Sequence, residues 1–199
     1  MPQLLLELFC EEIPARMQAK AQSDLGAALT KALGDAGLGF GNVETLSGPR
    51  RLTVIIDDVA EKSEDVREER KGPKVGAPEK AVEGFMRGAG LASIDQAEVR
   101  SDPKKGDFYV AIIETPGRAA TDIVAEAIPA IIKGFHWPKS MRWGNGDLRW
   151  VRPLQRIVCT LGGTVVPFEL EGLSSGDETE GHRVHGRGPF KVATAEAYK

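Results

Sequence analysis

LLLELFCEEIPARMQAKAQSDLGAALTKAL, residues 4–33, changes its hydrophobic period once, and that change decides the fold class. Leu4, Leu6 and Leu8 alternate at the two-residue repeat of a strand with one face on a core. Pro14 suits the first turn of a helix, where its missing N–H costs nothing. Met17, Ala21, Leu25, Ala28, Leu29, Ala32 and Leu33 then recur at helical spacing, and Gly34 or Gly37 is the expected stop. Glu11 and Glu12 lie between the two elements; paired acids there could do acid–base work. The reading adopted is that they complement the helix dipole and its free amides.

Outward from this stretch the chain keeps mixing the two periods. Val43–Leu46 and Arg51–Val59 read as strands joined at Gly48-Pro49. Residues 61–80 turn to charge, Gly and Pro, the composition of a loop or a solvated strand extension. Val82, Phe85, Met86 and Ala89 mark a short helix. Ala97–Ser101 and Phe108–Glu114 form an expected hairpin with Asp102-Pro103-Lys104-Lys105-Gly106 as its loop. Ala119–Lys133 carries a helical stripe that Pro129 should kink or split. Ile157–Leu161 and Thr164–Leu170 flank Gly162-Gly163, a second hairpin. Thr194–Lys199 reads as the opening turn of a further helix, so the chain is expected to be the front of a longer protein. The sum is a mixed α+β fold with a largely antiparallel sheet and flanking helices.

At 199 residues and 41% hydrophobic content, the chain can bury one large core or two small ones. No apolar run reaches membrane-spanning length, and the first residues lack the basic start and cleavage site of a signal peptide. Cys10 and Cys159 sit in apolar runs and read as buried free thiols of a reducing cytosol. A net charge of −3 does not describe a nucleic-acid binder in bulk. The charge is uneven, however. Between Trp137 and Arg156 stand Lys139, Arg142, Arg149, Arg152 and Arg156 against Asp147 alone, with all three tryptophans of the chain in the same segment. A local excess of this kind suits phosphate contact.

Other motifs carry less. His182 and His185 in GHRVHGRGP have a spacing that can serve a metal, but no third ligand is near, so no metal is expected. Arg50-Arg51 at a turn and Lys71 and Lys74 in KGPK are candidate phosphate contacts. No glycine-rich stretch has the Lys and Ser/Thr of a phosphate loop, so no ATP site is expected in this chain.

Taken in order, LLLELFCEEIPA (4–15), SGPRRLTV (47–54), REERKGP (67–73), EKAVEGFMRGAGL (79–91), WPKSMRWG (137–144), WVRPLQRIVCTLGG (150–163), VVPFELEG (165–172) and GHRVHGRGP (181–189) resemble the N-terminal part of the beta subunit of bacterial heterotetrameric glycyl-tRNA synthetase. Three places depart from the family pattern: Leu8-Phe9-Cys10, Gln155 and Glu180. The resemblance implies a domain over residues 1–190, similar in fold to the editing-type domain of the phenylalanyl enzyme's beta subunit, with 191–199 opening the next element. It also implies an alpha2beta2 tetramer in the cytoplasm, in which the class II alpha subunit uses Mg-ATP and glycine. The partners would be that subunit, tRNA-Gly and the remaining beta domains. The chain itself would contact tRNA and act as a scaffold, with no catalytic residue and no cofactor. Candidate tRNA contacts are Arg50, Arg51, Lys71, Lys74, Lys139, Arg142, Arg149, Arg152, His182, Arg183 and His185. Two alternatives stand beside this reading: a hydrolytic domain acting on mischarged tRNA through Cys10, His182 or His185, and a purely structural module. Glycine leaves an editing pocket little to sort by size.

Overall fold

The computed structural model describes residues 1–102, 106–186 and 188–199. The expected hairpin tip at 103–105 lies outside the described residues, as does Arg187 of the histidine-bearing segment. In chain order, β1 (Leu4–Cys10) leads into α1 (Ala15–Asp35), β2 (Val43–Gly48) and β3 (Arg51–Ile56). Next come β4 (Val66–Lys74), α2 (Glu79–Ala89), a 3-10 turn at Ile94–Gln96, β5 (Glu98–Asp102) and β6 (Gly106–Thr115). The chain continues through α3 (Ala120–Gly134), β7 (Leu154–Leu161), β8 (Thr164–Val165), β9 (Glu169–Leu170), β10 (Leu173–Gly176), β11 (Glu178–Thr179), β12 (Phe190–Lys191) and α4 (Ala195–Tyr198).

These elements form two compact units, the first made of residues 1–63 and 118–199 and the second of residues 64–117. In the first unit a sheet runs in the order β2-β3-β1-β7-β10-β9, and β8 also pairs with β7. All its pairings are antiparallel except β10 with β7. Every residue of β1 is buried, because β3 and β7 flank it and both sheet faces are covered. That explains a run as apolar as LLLELF, where an exposed face would demand alternation. Leu4, Leu6, Leu8 and Cys10 join the main core with Leu25, Leu29 and Leu33 of α1 and Ile123, Val124, Ile128 and Ile132 of α3. On the opposite face Leu5, Ile55 and Val158 meet Val192, Ala195 and Tyr198. The segment beyond residue 190 thus covers the sheet's second face, and Thr194 caps its last helix by accepting from the Ala197 amide at 3.2 Å.

Two expectations need correcting. Of the two outcomes expected at Pro129, a kink or a split, the split does not occur: α3 runs unbroken through it. Ile123 and Val124 before the proline and Ile132 after it are buried in one core, and that packing holds both halves in a single helix despite the lost hydrogen bond. The strand expected over Thr164–Leu170 lasts only two residues against β7. Pro167 has no N–H for a ladder, and the chain turns away, with the Phe168 amide donating to Ser175 Oγ at 2.9 Å.

The second unit is a three-stranded antiparallel sheet, β4-β6-β5, with α2 against it. The charged stretch that read as a loop or strand extension is β4, paired with β6 from Val66 to Lys74 although most of its side chains are exposed. Salt bridges lace the strands, as in the pair of bonds from Arg100 to Glu69 at 2.6 and 2.8 Å. The chain leaves and re-enters the first unit at neighbouring points, where the Ser63 amide donates to the Arg118 carbonyl at 2.9 Å.

Candidate nucleic-acid interface

The basic segment after α3 is held by aromatic rings. Phe135, Trp137 and Trp150 form a triangle with centroids 5.0 to 5.1 Å apart. Trp150 is fully buried, Trp137 nearly so, and Trp143 packs half-buried on the same core. The backbones of Met141 and Trp150 exchange two hydrogen bonds, at 2.8 and 3.2 Å, and so close the loop between them. The rings therefore anchor the segment as a packing knot. Buried indoles usually find a partner for the N–H, yet neither Trp137 nor Trp150 meets an oxygen or nitrogen acceptor among the described residues.

Outside this knot the cations face solvent. Lys139 is exposed with no ion-pair partner among the described residues. Arg142 reaches Asp147 at 3.2 Å with both side chains exposed, a pairing worth little in water. Arg149 donates from Nε to Ser140 Oγ at 3.3 Å and is otherwise exposed. Arg152 turns back to the Val151 carbonyl at 2.8 Å.

Arg50 and Arg51 are tied inward. Both guanidinium groups lie over the Phe9 ring, at 4.6 and 5.1 Å from its centroid. Arg50 donates to Gln155 at 2.9 Å and stands 3.6 Å from Glu11, to which Gln155 also donates. The Glu11 carboxylate is thus spent on Arg50 and Gln155 instead of the helix start, and α1 has no acid in its first turn. Arg51 binds Glu7 at 3.1 Å and the Glu180 carbonyl at 2.5 Å. Arg156 bridges to Glu178 and Glu180 at 3.5 and 3.2 Å. The end of β1, the β2–β3 turn, the start of β7 and the segment at Glu180 therefore meet in one place.

The following turn carries His182, Arg183 and His185, all exposed. The imidazoles stack at 4.9 Å with a 20° interplanar angle. His182 Nδ1 accepts from the Val184 and His185 amides at 3.2 and 3.3 Å. Among the described residues no three metal-ligating side chains gather, and neither imidazole meets a carboxylate. In the second unit Lys71 sits over the Phe108 ring at 4.0 Å and Lys74 is exposed on β4.

Cys10 and Cys159 are fully buried. Burial pushes the Cys10 thiol up to about 12, the Trp150 indole beside it acting weakly the other way, and burial alone pushes Cys159 up. A thiol this hard to ionise is no nucleophile at neutral pH. Both thiols should be silent to a disulfide reagent at pH 8 in the folded protein and react fully in urea; rapid reaction in the native state would contradict the burial. They keep their protons in the fold at a pH where unfolded thiols, at 9.0, have lost them. Their contribution to stability is therefore complete below pH 9 and declines as pH rises toward 12.

The sequence gives no sign of the contacts made by Glu7, Phe9, Gln155 and Glu180, although the last three stand at departures from the family pattern. Phe9 and Glu7 stood inside an apolar strand, and Gln155 and Glu180 find their partners only across the fold.

The geometry defines an α+β unit that presents a ring-anchored cationic loop. A family model described as the glycyl-tRNA synthetase beta subunit matches residues 4–199. The chain is 55% identical to the glycine–tRNA ligase beta subunit of Ruegeria sp. (strain TM1040), over 100% of this chain and 29% of that protein. It is 51% identical to those of Dinoroseobacter shibae and Cereibacter sphaeroides, again over 100% of this chain and over 28% and 29% of theirs. The chain belongs to the glycyl-tRNA synthetase beta subunit family, and it spans under a third of the length of these relatives. No helix among the described residues is long and apolar enough to cross a membrane.

Proposed function

We propose that this chain is a tRNA-contacting and scaffolding part of a glycine–tRNA ligase, working in the cytoplasm in an alpha2beta2 assembly with tRNA-Gly and the remaining beta domains. Glycine activation with Mg-ATP belongs to the class II alpha subunit. Family membership supports the ligase, and the buried tryptophans support the role of this region. A loop fixed by Trp137 and Trp150 presents Lys139, Arg142 and Arg149 to solvent, Arg142 paired only with the exposed Asp147, and cations on an anchored loop suit phosphate contact. Arg183, Lys71 and Lys74 are exposed and suit the same chemistry. Arg50, Arg51 and Arg152 are less free to meet a phosphate, because their guanidinium groups are engaged inside the molecule.

Phosphate contacts are sequence-blind and salt-sensitive. In the intact alpha–beta enzyme, Arg142→Ala should weaken tRNA binding across sequences and lower the salt slope by about 1. Lys139→Ala and Arg149→Ala should add to both effects, with the melting temperature unchanged. If the triple variant binds tRNA with the parent affinity and slope, the loop is not an RNA contact.

A further inference from the structure

A small cavity of about 160 Å³ opens between the loop at residues 143–148 and the β9–β10 hairpin. Trp143 forms a wall, Leu148, Leu154 and Leu173 supply apolar surface, and Gly146 and Glu171 also line it. The end of the Glu171 side chain lies against Gly146: a Cβ there would stand 2.8 Å from Glu171 Oε2, a contact the carboxylate could relieve by swinging away. The Glu171 carboxylate engages no donor among the described residues.

Glu171 is held in an unusual backbone conformation. It has φ +49°, followed by Gly172 at +80°, in the two-residue turn between β9 and β10. Two positive φ values define a turn that favours Asn, Asp or Gly first. The same unit makes the corresponding turn between β7 and β8 from Gly162 and Gly163, at +58° and +83°. At the second turn a strained glutamate replaces the first glycine, at the mouth of a cavity. Strain retained at such a place points to a ligand for the side chain.

The chemistry narrows the ligand. An indole wall with leucines takes a flat ring, and 160 Å³ is below the range that holds a whole cofactor. A carboxylate whose oxygens take no donor among the described residues can pair with two adjacent N–H groups on a ring edge. Among the four RNA bases only guanine has that pair, at N1 and N2. The guanine must be unpaired, since a base in a duplex has this edge occupied. Arg142 and Arg149, exposed on the flanking loop, supply cations for its phosphates. We propose that this cavity receives one unpaired guanine of the bound tRNA, stacked on Trp143 and read by Glu171. The proposal rests on the tRNA-contacting role argued above.

The test uses the intact alpha–beta enzyme and glycine tRNA. Glu171→Gly relieves the strained turn, so it should melt at or above the parent temperature while binding tRNA about ten-fold more weakly with an unchanged salt slope. Glu171→Gln, which exchanges one acceptor for a donor, should lose a similar factor, and Trp143→Phe should stay near parent affinity. Kethoxal, which attacks N1 and N2 of guanine, should find one guanine protected in the parent complex and reactive with Glu171→Gly. Parent affinity and an unchanged kethoxal pattern with Glu171→Gly would overturn the proposal. A lowered melting temperature would overturn it too, by making Glu171 structural, and so would weakened alpha–beta assembly with normal tRNA binding by the assembled enzyme. If the Lys139, Arg142 and Arg149 variants weaken binding while Glu171→Gly does not, the basic loop stands and the guanine pocket falls. If neither set affects binding, both readings fall.

Discussion

Trp150→Ala should cost the first unit about 4 kcal/mol, the range for removing a fully buried indole. The ring has no exposed surface, touches Trp137 and Phe135, and belongs to a residue whose backbone closes the loop onto Met141. Its N–H has no oxygen or nitrogen acceptor, so the substitution orphans no polar partner of that kind; the loss is apolar transfer plus the void left behind. Trp150→Phe keeps much of the contact and should lose about half as much. Trp143→Ala, on a half-buried ring, should cost less than Trp150→Ala. Urea unfolding followed by far-ultraviolet circular dichroism reads all three. A loss below about 1.5 kcal/mol for Trp150→Ala would mean that the three-ring cluster does not anchor the loop.

Glu7→Ala should be of similar size, about 3–5 kcal/mol, because it strips the partner from a largely buried charge. Glu7 has no exposed surface and binds Arg51 at 3.1 Å, the Tyr198 hydroxyl at 2.5 Å and the Thr179 hydroxyl. Tyr198 also meets Thr53 at 2.7 Å, so the network fastens α4 to the sheet. Glu7→Gln keeps the shape and one acceptor and should lose less. Burial, and secondarily the Glu7 charge, push the Tyr198 phenol up to about 12 from its ordinary 10.0. The folded protein therefore holds this proton where the unfolded chain has released it. That contribution is complete below pH 10 and is lost as pH rises through 12. Tyr198→Phe should flatten the decline in melting temperature between pH 10 and 12, leaving the part due to the thiols. An unchanged pH profile would show that the phenol is not coupled to folding.

Much of the fold was legible because local pattern and global position agree. The leucines of β1, the stripe of α1, the Gly162-Gly163 turn and the Thr194 cap all appear where periodicity and turn chemistry put them. β4 was not legible as a plain strand: VREERKGPK carries almost no apolar side chain, and its conformation is set by β6, some forty residues later. The inserted unit was only half visible: the composition shift from residue 61 falls at its first boundary, but nothing in composition marks the return at Arg118, which a long-range hydrogen bond to Ser63 closes. In the site, the tryptophans of the basic loop could be read as anchors from their size. The fates of Arg50 and Arg51 could not, because their partners Gln155 and Glu180 are more than a hundred residues away. Glu171 was invisible for another reason: a strained turn is a property of the backbone, and Glu-Gly is no signal of one.

The central position of β1 also has a consequence for how the chain is made. One edge of the strand is filled by β3, which follows within some fifty residues, but the other waits for β7, so that Leu6 is born about 150 residues before its partner Cys159. At a ribosomal rate of roughly 5–20 residues per second, that interval is roughly 8–30 seconds. During it the nascent chain displays an open edge on its most apolar strand, the kind of edge that recruits other chains. The whole inserted unit is synthesised within that interval, so its length sets part of the time for which the edge stays open. Slowing translation between residues 64 and 153 should therefore lower soluble yield more than an equal pause after residue 161.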